Sequence, residues 1–320
     1  MLIVERPGLL TTVQDLGRYG HERFGVPASG AMDPFALRAA NALVGNPAAA
    51  AVLEFGFEGG ALTLADDGLV AVTGSASAVR VNGRARPLWT ALYVRARQTV
   101  EIDLASGVWA YLAVRGGVDA PPVLGSRATY LRGGFGGWHG RALRAGDRLP
   151  TGPRPDARPL LDLAGRTLPT EHRPAYAERA VVEVVLGPQI EYFTDEAVAA
   201  FLSAEYAVLA DSDRMGYRLS GPSVAPLRAD LISEAMPLGA IQVPAGGGPI
   251  VMLADRPTTG GYPKIATAAR ADAPLIAQCP PGAGRLRFRA VTVAAAQARY
   301  RAQVARLKYI QGPGEAETFI

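Results

Sequence analysis

Apolar residues in this chain come mostly in short runs of about four to seven, and seldom in the i, i+3, i+4 spacing of a helix. Leu2–Glu5 reads as a strand stopped by Pro7-Gly8. From 51 to 149 the runs AVLEF, ALTL, LVAVTG, AVRVNG, TALYVRA, TVEIDL and VWAYLAV follow one another, each a predicted strand. Asn82-Gly83 supplies the positive φ angles of a tight I′ hairpin turn. After 180 the runs VVEVVLG, YAVLADS, RLSG, LISEAM, AIQVPA, PIVMLAD and LRFRAV repeat the style. Helical spacing appears in FALRAANALV, where Asp33-Pro34 gives an N-cap and a first-turn proline and Leu37, Ala40 and Leu43–Val44 share one face. A short helix is expected in DEAVAAFLS and a surface helix in VAAAQARYRAQVARLKYI, with the last ten residues fraying.

This pattern predicts a mainly β protein with a few helices, in two β-rich halves of barrel or sandwich type. Residues 151–179, rich in proline and charge, read as a linker between a half at 1–150 and a half at 180–320. Thr11 to Pro34 is glycine-rich and without sustained period, so a long functional loop is expected there. RGGFGGWHG (132–140) lacks the Gly-Lys-Ser/Thr ending and the strand-to-helix context of a phosphate loop.

Composition narrows the classes. Gly (37) and Pro (25) are frequent and scattered, in keeping with many turns. With 49% hydrophobic and 19% charged residues the chain is globular in type. Net charge is +4, arginine supplies 31 of the 33 basic residues, and no block of like charge marks a nucleic-acid footprint. The lone Cys279 excludes an internal disulfide and multi-cysteine metal sites, and the three histidines lack metal-ligand spacing. No signal peptide or membrane-length apolar run is present, so a cytoplasmic location is expected.

Four places carry candidate chemistry. QDLGR brings Gln14, Asp15 and Arg18 into a glycine-containing loop, where Asp15 orients a water or, alternatively, pairs with Arg18 to hold the loop. Arg214 and Arg218, four apart, suit bidentate capture of a carboxylate or phosphate, against an Asp–Arg network with Asp211 and Asp213. Ser233, Glu234 and Lys264 lie between strands in the third region. Lys264 is one of two lysines in an arginine-biased chain, which marks it as a compact ammonium in a site or as a surface lysine at a loop tip. Cys279, beside an apolar run, is read as an inert core thiol rather than a nucleophile.

The stretches TTVQDLGRYGHERFGVPASGAMDPFALRAANALVGNPAAAAVLE, SDRMGYRLSGP and GGYPKIAT resemble the KipA family, also known as the C subunit of 5-oxoprolinase and earlier as allophanate hydrolase subunit 2. The likeness runs from about residue 3 to residue 291 and extends to the A and B subdomains of the carboxyltransferase region of biotin-dependent urea carboxylase. It implies two cyclophilin-like β-barrel subdomains. It also implies one part, inactive alone, of an ATP-dependent 5-oxoprolinase, whose other two parts are a KipI-like B component and a LamB/YcsF-like A component. The resemblance places Arg214 or Arg218 and Ser233–Glu234 in substrate binding. With the residue reading it gives Asp15, Glu234 and Lys264 as catalytic, and Gln14, Arg18, Arg214, Arg218 and Ser233 as substrate-binding. No Walker A, kinase glycine loop or biotin-attachment Met-Lys-Met occurs, so ATP is expected to bind largely on a partner chain and biotin, if used, on a carrier. Two other readings compete: a biotin-dependent carboxyltransferase component for a urea-like substrate, and a KipA-type antagonist of a KipI-like kinase inhibitor.

Overall fold

The strands form where the apolar runs lie, in a computed structural model that describes residues 1–105 and 107–312. The expected fraying of the last ten residues falls largely outside that range. The chain divides into two units: Met1–Arg18, Ser29–Arg173 and residues 306–312 form the first, and Tyr19–Ala28 with Pro174–Ala305 the second. The division at 173/174 lies inside the stretch read as a linker. Most of that stretch packs into the first unit, because Leu160, Leu163 and Leu168 are buried there.

In the first unit two sheets enclose one core. One sheet runs in the order Arg148–Leu149, Leu2–Arg6, Ala61–Leu64, Thr99–Asp103, Ala78–Val81, Arg84–Arg86. The other runs Leu10–Gln14, Val52–Gly56, Trp109–Val114, Gly68–Gly74, Ala91–Val94. Leu2, Val4, Leu53, Phe55, Leu62, Val72, Val79, Val100, Ile102 and Leu112 from both sheets form one buried cluster. Helix Pro34–Leu43 packs on strands Gly68–Gly74 and Trp109–Val114. It starts where the sequence predicts, because the Asp33 carboxylate accepts from Ala36 N at 2.9 Å. Asn82 and Gly83 take φ of 48° and 74° and join Ala78–Val81 to Arg84–Arg86.

The expected loop from Thr11 begins instead as strand Leu10–Gln14, paired with Val52–Gly56. Its residues are buried on both faces, so the alternation that identifies a half-exposed strand is absent.

The second unit is a closed seven-stranded barrel in the order Arg179–Leu186, Lys264–Ala268, Ala240–Gln242, Ile250–Met252, Gly216–Ser220, Glu205–Val208, Arg285–Ala290. It closes through a parallel pairing of its first and last strands, Arg179 opposite Arg285 through Val184 opposite Ala290. Helix Asp195–Ser203 stacks Phe201 on Phe288 with ring centroids 4.6 Å apart. Helix Val293–Ala305 buries none of its residues and is tethered by Arg299, which reaches both Glu183 and Asp272 at 2.7 Å. Among the described residues no helix is long and apolar enough to cross a membrane.

Candidate functional site

Lys264 opens a barrel strand, so it is neither in a glycine-rich turn nor at a loop tip. Its neighbours in the ladder fix which groups it meets. Gln242, the last residue of its own strand, lies opposite Lys264, and Leu186 lies opposite Ala266 two residues on. Three strand ends therefore share one rim of the barrel. A short ribbon, Glu234–Ala235 paired with Thr259–Gly260, adjoins this rim. A Cβ at Gly260 would lie 2.4 Å from Met236 Cε and 2.6 Å from Gln242 Nε2, so the ends of those two side chains pack directly on this glycine.

The ribbon brings Glu234 onto Lys264. The lysine side chain is 3% exposed and its Nζ donates to Glu234 Oε1 in a short ion pair; the glutamate side chain is 42% exposed. Gln189 Nε2 donates to the same oxygen at 2.8 Å, and Gln189 Oε1 accepts from Lys264 N at 3.3 Å. Gln242 donates to Tyr262 O at 3.2 Å. The structure thus holds a buried ammonium against a solvent-facing carboxylate. Glu234 Oε2 has no protein hydrogen bond among the described residues. That combination can orient a water and accept its proton while keeping a positive charge close by.

The other expected residues are placed as follows. Arg214 forms a buried bidentate pair with Asp255, Nε to Oδ2 at 2.8 Å and Nη2 to Oδ1 at 3.3 Å. The register sets Gly216 opposite Met252, so this pair sits at the barrel end away from Lys264. Arg218 points outward on a strand whose Tyr217 and Leu219 point in, and only a 3.5 Å surface contact joins it to Asp211. Each arginine thus has its own aspartate, and the two do not converge on one anion. Ser233 is exposed beside Glu234.

In the first unit Asp15 is held by backbone and hydroxyl donors. Its Oδ1 accepts from Gly17 N at 2.8 Å and Ser126 Oγ at 2.7 Å, and its Oδ2 from Arg127 N at 2.6 Å. Arg18 is buried, donates to Val123 O and Ala128 O, and lies 4.9 Å from the Phe135 ring centroid. Phe135 belongs to the glycine-rich loop at 132–140. A Cβ at Gly136 or Gly137 would fall 2.1 Å from Ala128 O or 1.8 Å from Thr129 Oγ1, so these glycines serve close packing and do not cradle a phosphate. The Cys279 thiol is buried and its pKa pushed up to about 11 by desolvation, as suits an inert core cysteine. No cluster of metal-ligating side chains occurs among the described residues.

Set beside known proteins, residues 24–290 match the carboxyltransferase domain, subdomain A and B. The chain belongs to this family. It is 38% identical to the C subunit of 5-oxoprolinase from Escherichia coli over 287 residues, 88% of this chain and 89% of the relative. The corresponding protein of Haemophilus influenzae is 35% identical over 286 residues, 88% of each chain. Among solved structures, the urea amidolyase of K. lactis superposes with a TM-score of 0.90 at 28% identity. That likeness covers 98% of this chain and only 20% of the urea amidolyase, so the chain spans about a fifth of that protein.

This member of the carboxyltransferase subdomain A and B family also holds a polar row that sequence reasoning missed. Thr12, Glu54, Tyr111 and Thr73 lie opposite one another across four adjacent strands of the first unit. Tyr111 donates to Glu54 Oε2 at 2.8 Å and accepts from Asp33 N at 2.7 Å; Met32 N reaches the same Glu54 oxygen at 2.8 Å. Burial, and then the charge of Glu54, push the Tyr111 phenol well above its ordinary range. Gln14 joins through Thr12 at 3.0 Å. The signal was present: a glutamate inside the apolar run V-L-E-F is buried at a cost unless something answers it.

Proposed function

We propose that this chain is the C subunit of a 5-oxoprolinase, a non-autonomous cytoplasmic part of an ATP-dependent enzyme that hydrolyses 5-oxo-L-proline to L-glutamate. Its partners are a KipI-like B component and a LamB/YcsF-like A component. One observation carries the reading: the match to the C subunit of two bacterial 5-oxoprolinases runs nearly end to end on both chains. The chemistry agrees. A lactam carbonyl is a poor electrophile, and ATP supplies its activation by phosphorylating the oxygen. Since the glycine-rich loop here packs against Arg18 and Thr129, nucleotide binding is assigned largely to a partner chain.

Within this chain, Glu234 Oε2 accepts the proton of the attacking water, Gln189 and Lys264 hold the carboxylate in place, and the Lys264 ammonium stabilises negative charge developing at the reacting carbon's oxygens. Ser233 and Arg218 are the exposed polar groups offered to the substrate. Asp15, Gln14, Arg18 and Arg214 act through the scaffold they pin.

A biotin-dependent carboxyltransferase role on a urea-like substrate is the second reading, favoured by the family match itself and by the urea amidolyase likeness. Glutamate release from 5-oxo-L-proline, measured with this chain alone and with both partners plus ATP, separates the two. Activity in the full mixture only is expected. No activity in the full mixture, with carboxyl transfer from carboxybiotin instead, selects the second reading.

A further inference from the structure

Helix Val293–Ala305 lies over the outer face of the barrel in the second unit, yet none of its residues is buried. Polar contacts carry its attachment: Arg299 reaches Glu183 and Asp272 at 2.7 Å each, and Gln303 Nε2 donates to Ala271 O at 2.8 Å. A cavity of about 330 Å³ remains between helix and barrel. Its floor is Val185, Ala268 and Ala269, and its wall is Val293, Ala296 and Tyr300 of the helix. Val185 and Thr267 stand opposite one another in the ladder, so both side chains share the face of the sheet turned away from the buried Val184.

Four polar side chains line this apolar space: Thr267, Arg270, Gln297 and Arg301. None of them makes a side-chain hydrogen bond or ion pair among the described residues. Arg270 is placed by Tyr300, whose ring centroid lies 5.1 Å from its guanidinium carbon. The carboxylates that tether the helix are already answered, Glu183 by Arg289 and Arg299, and Asp272 by Arg299. The cavity therefore combines an apolar body with two uncompensated positive charges and two neutral hydrogen-bonding groups. A gap that served packing alone would be filled by side chains, since interiors are close-packed. A mainly apolar cleft of this size with a few polar groups is the usual form of a small-molecule site.

We propose that this cavity binds a small carboxylate with an apolar body, its hydrocarbon part against Val185, Ala296 and Tyr300 and its carboxylate held by Arg270 and Arg301. Forked guanidinium donors match the two oxygens of a carboxylate, and the apolar lining excludes ligands that are charged throughout. The cavity lies at the far end of the strand that Lys264 opens, and its helical wall follows residues 24–290 that match the carboxyltransferase domain. It therefore goes beyond the proposed 5-oxoprolinase activity and does not depend on it.

The test is isothermal titration calorimetry of the full chain with octanoate and with octanamide, its uncharged counterpart, at matched ionic strength. Wild type is compared with Ala296→Phe, which fills the cavity, and with the double variant Arg270→Gln, Arg301→Gln. Arg84→Gln, an exposed charge removed from the first unit, serves as control. Octanoate should bind wild type and Arg84→Gln at a single site, at least about tenfold more tightly than octanamide. The double variant should lose at least about tenfold in octanoate affinity and leave octanamide unchanged, and Ala296→Phe should bind neither. Arg270 and Arg301 are exposed, so the double variant decides the matter even where Ala296→Phe fails to fold. No saturable octanoate binding by wild type, equal affinities for octanoate and octanamide, or octanoate affinity unchanged in the double variant or in a folded Ala296→Phe, each overturns the proposal.

Discussion

Substituting the two ends of the Lys264–Glu234 pair should have unequal effects, because the two ends are unequally buried. Glu234→Ala leaves an ammonium 3% exposed without its carboxylate. Breaking a fully buried pair costs about 3–5 kcal/mol. The 42% exposure of the Glu234 side chain admits water to the gap and lowers the expected loss to about 2 kcal/mol. Lys264→Met removes the buried charge and keeps the length of the side chain. Glu234 then keeps Gln189 and turns to solvent, so the change should stay within about 1 kcal/mol. Urea unfolding of both variants, read as a shift of midpoint at unchanged slope, measures the difference. Glutamate release by the reconstituted complex should be lost in both. A Lys264→Met variant as destabilised as Glu234→Ala would refute the reasoning on burial, and one with full activity would remove Lys264 from the chemistry.

Three further outcomes are expected. Asp33→Ala removes the cap of helix Pro34–Leu43 and should cost at least about 1 kcal/mol in urea unfolding. Tyr111→Phe strips Glu54 of one donor and leaves Asp33 N without its acceptor, a loss of about 1–3 kcal/mol by the same measurement, with the secondary-structure signal in far-ultraviolet circular dichroism preserved. Glu183 titrates below its ordinary 4.5 because Arg299, and then Arg289, hydrogen-bond to it against the opposing effect of burial. A depressed carboxyl stabilises the fold above its unfolded pKa and loses that contribution as pH falls through the folded value. The stability gap between wild type and Arg289→Gln, which removes a donor to Glu183, should therefore be full above pH 4.5 and close on acidification, as melting across pH will show.

Where local signals are strong the pattern is legible: Ala61–Leu64, with alternate residues buried, and helix Pro34–Leu43, with its Asp33 cap, first-turn proline and helical spacing, lie at the expected residues. Leu10–Gln14 and Lys264–Ala268 escape notice for the opposite reason. Both are almost wholly buried yet contain Thr, Gln or Lys, so neither polarity nor alternation identifies them. Among candidate site residues, the rarity of Lys264 is informative without its context. Nothing local in the sequence tells that Glu234, thirty residues earlier, folds back onto it, because that contact is made by a two-residue ribbon. Arg214 and Arg218 mislead because spacing in sequence says little at a turn into a strand: one side chain faces Asp255 and the other faces out.

On the proposed reading, the placement of buried charge distinguishes the scaffold residues from Glu234. Asp15 and the Arg214–Asp255 pair have their charged groups engaged by protein partners, which is how a buried ion is made tolerable and how a loop is held. A group fully engaged in that way has no bond left to give a substrate without breaking one the fold depends on. Glu234 is different, since one oxygen is anchored by Lys264 and Gln189 and the other faces solvent. An anchored carboxylate with a free oxygen keeps its position and still takes a proton, the two properties that positioning a water requires. If the ladder around Lys264 is what anchors it, Gln189→Ala should lower kcat of the complex more than it raises KM, because the carboxylate loses its orientation while the exposed substrate contacts remain. An effect confined to KM would instead place Gln189 in substrate binding and leave the orientation of Glu234 to Lys264 alone.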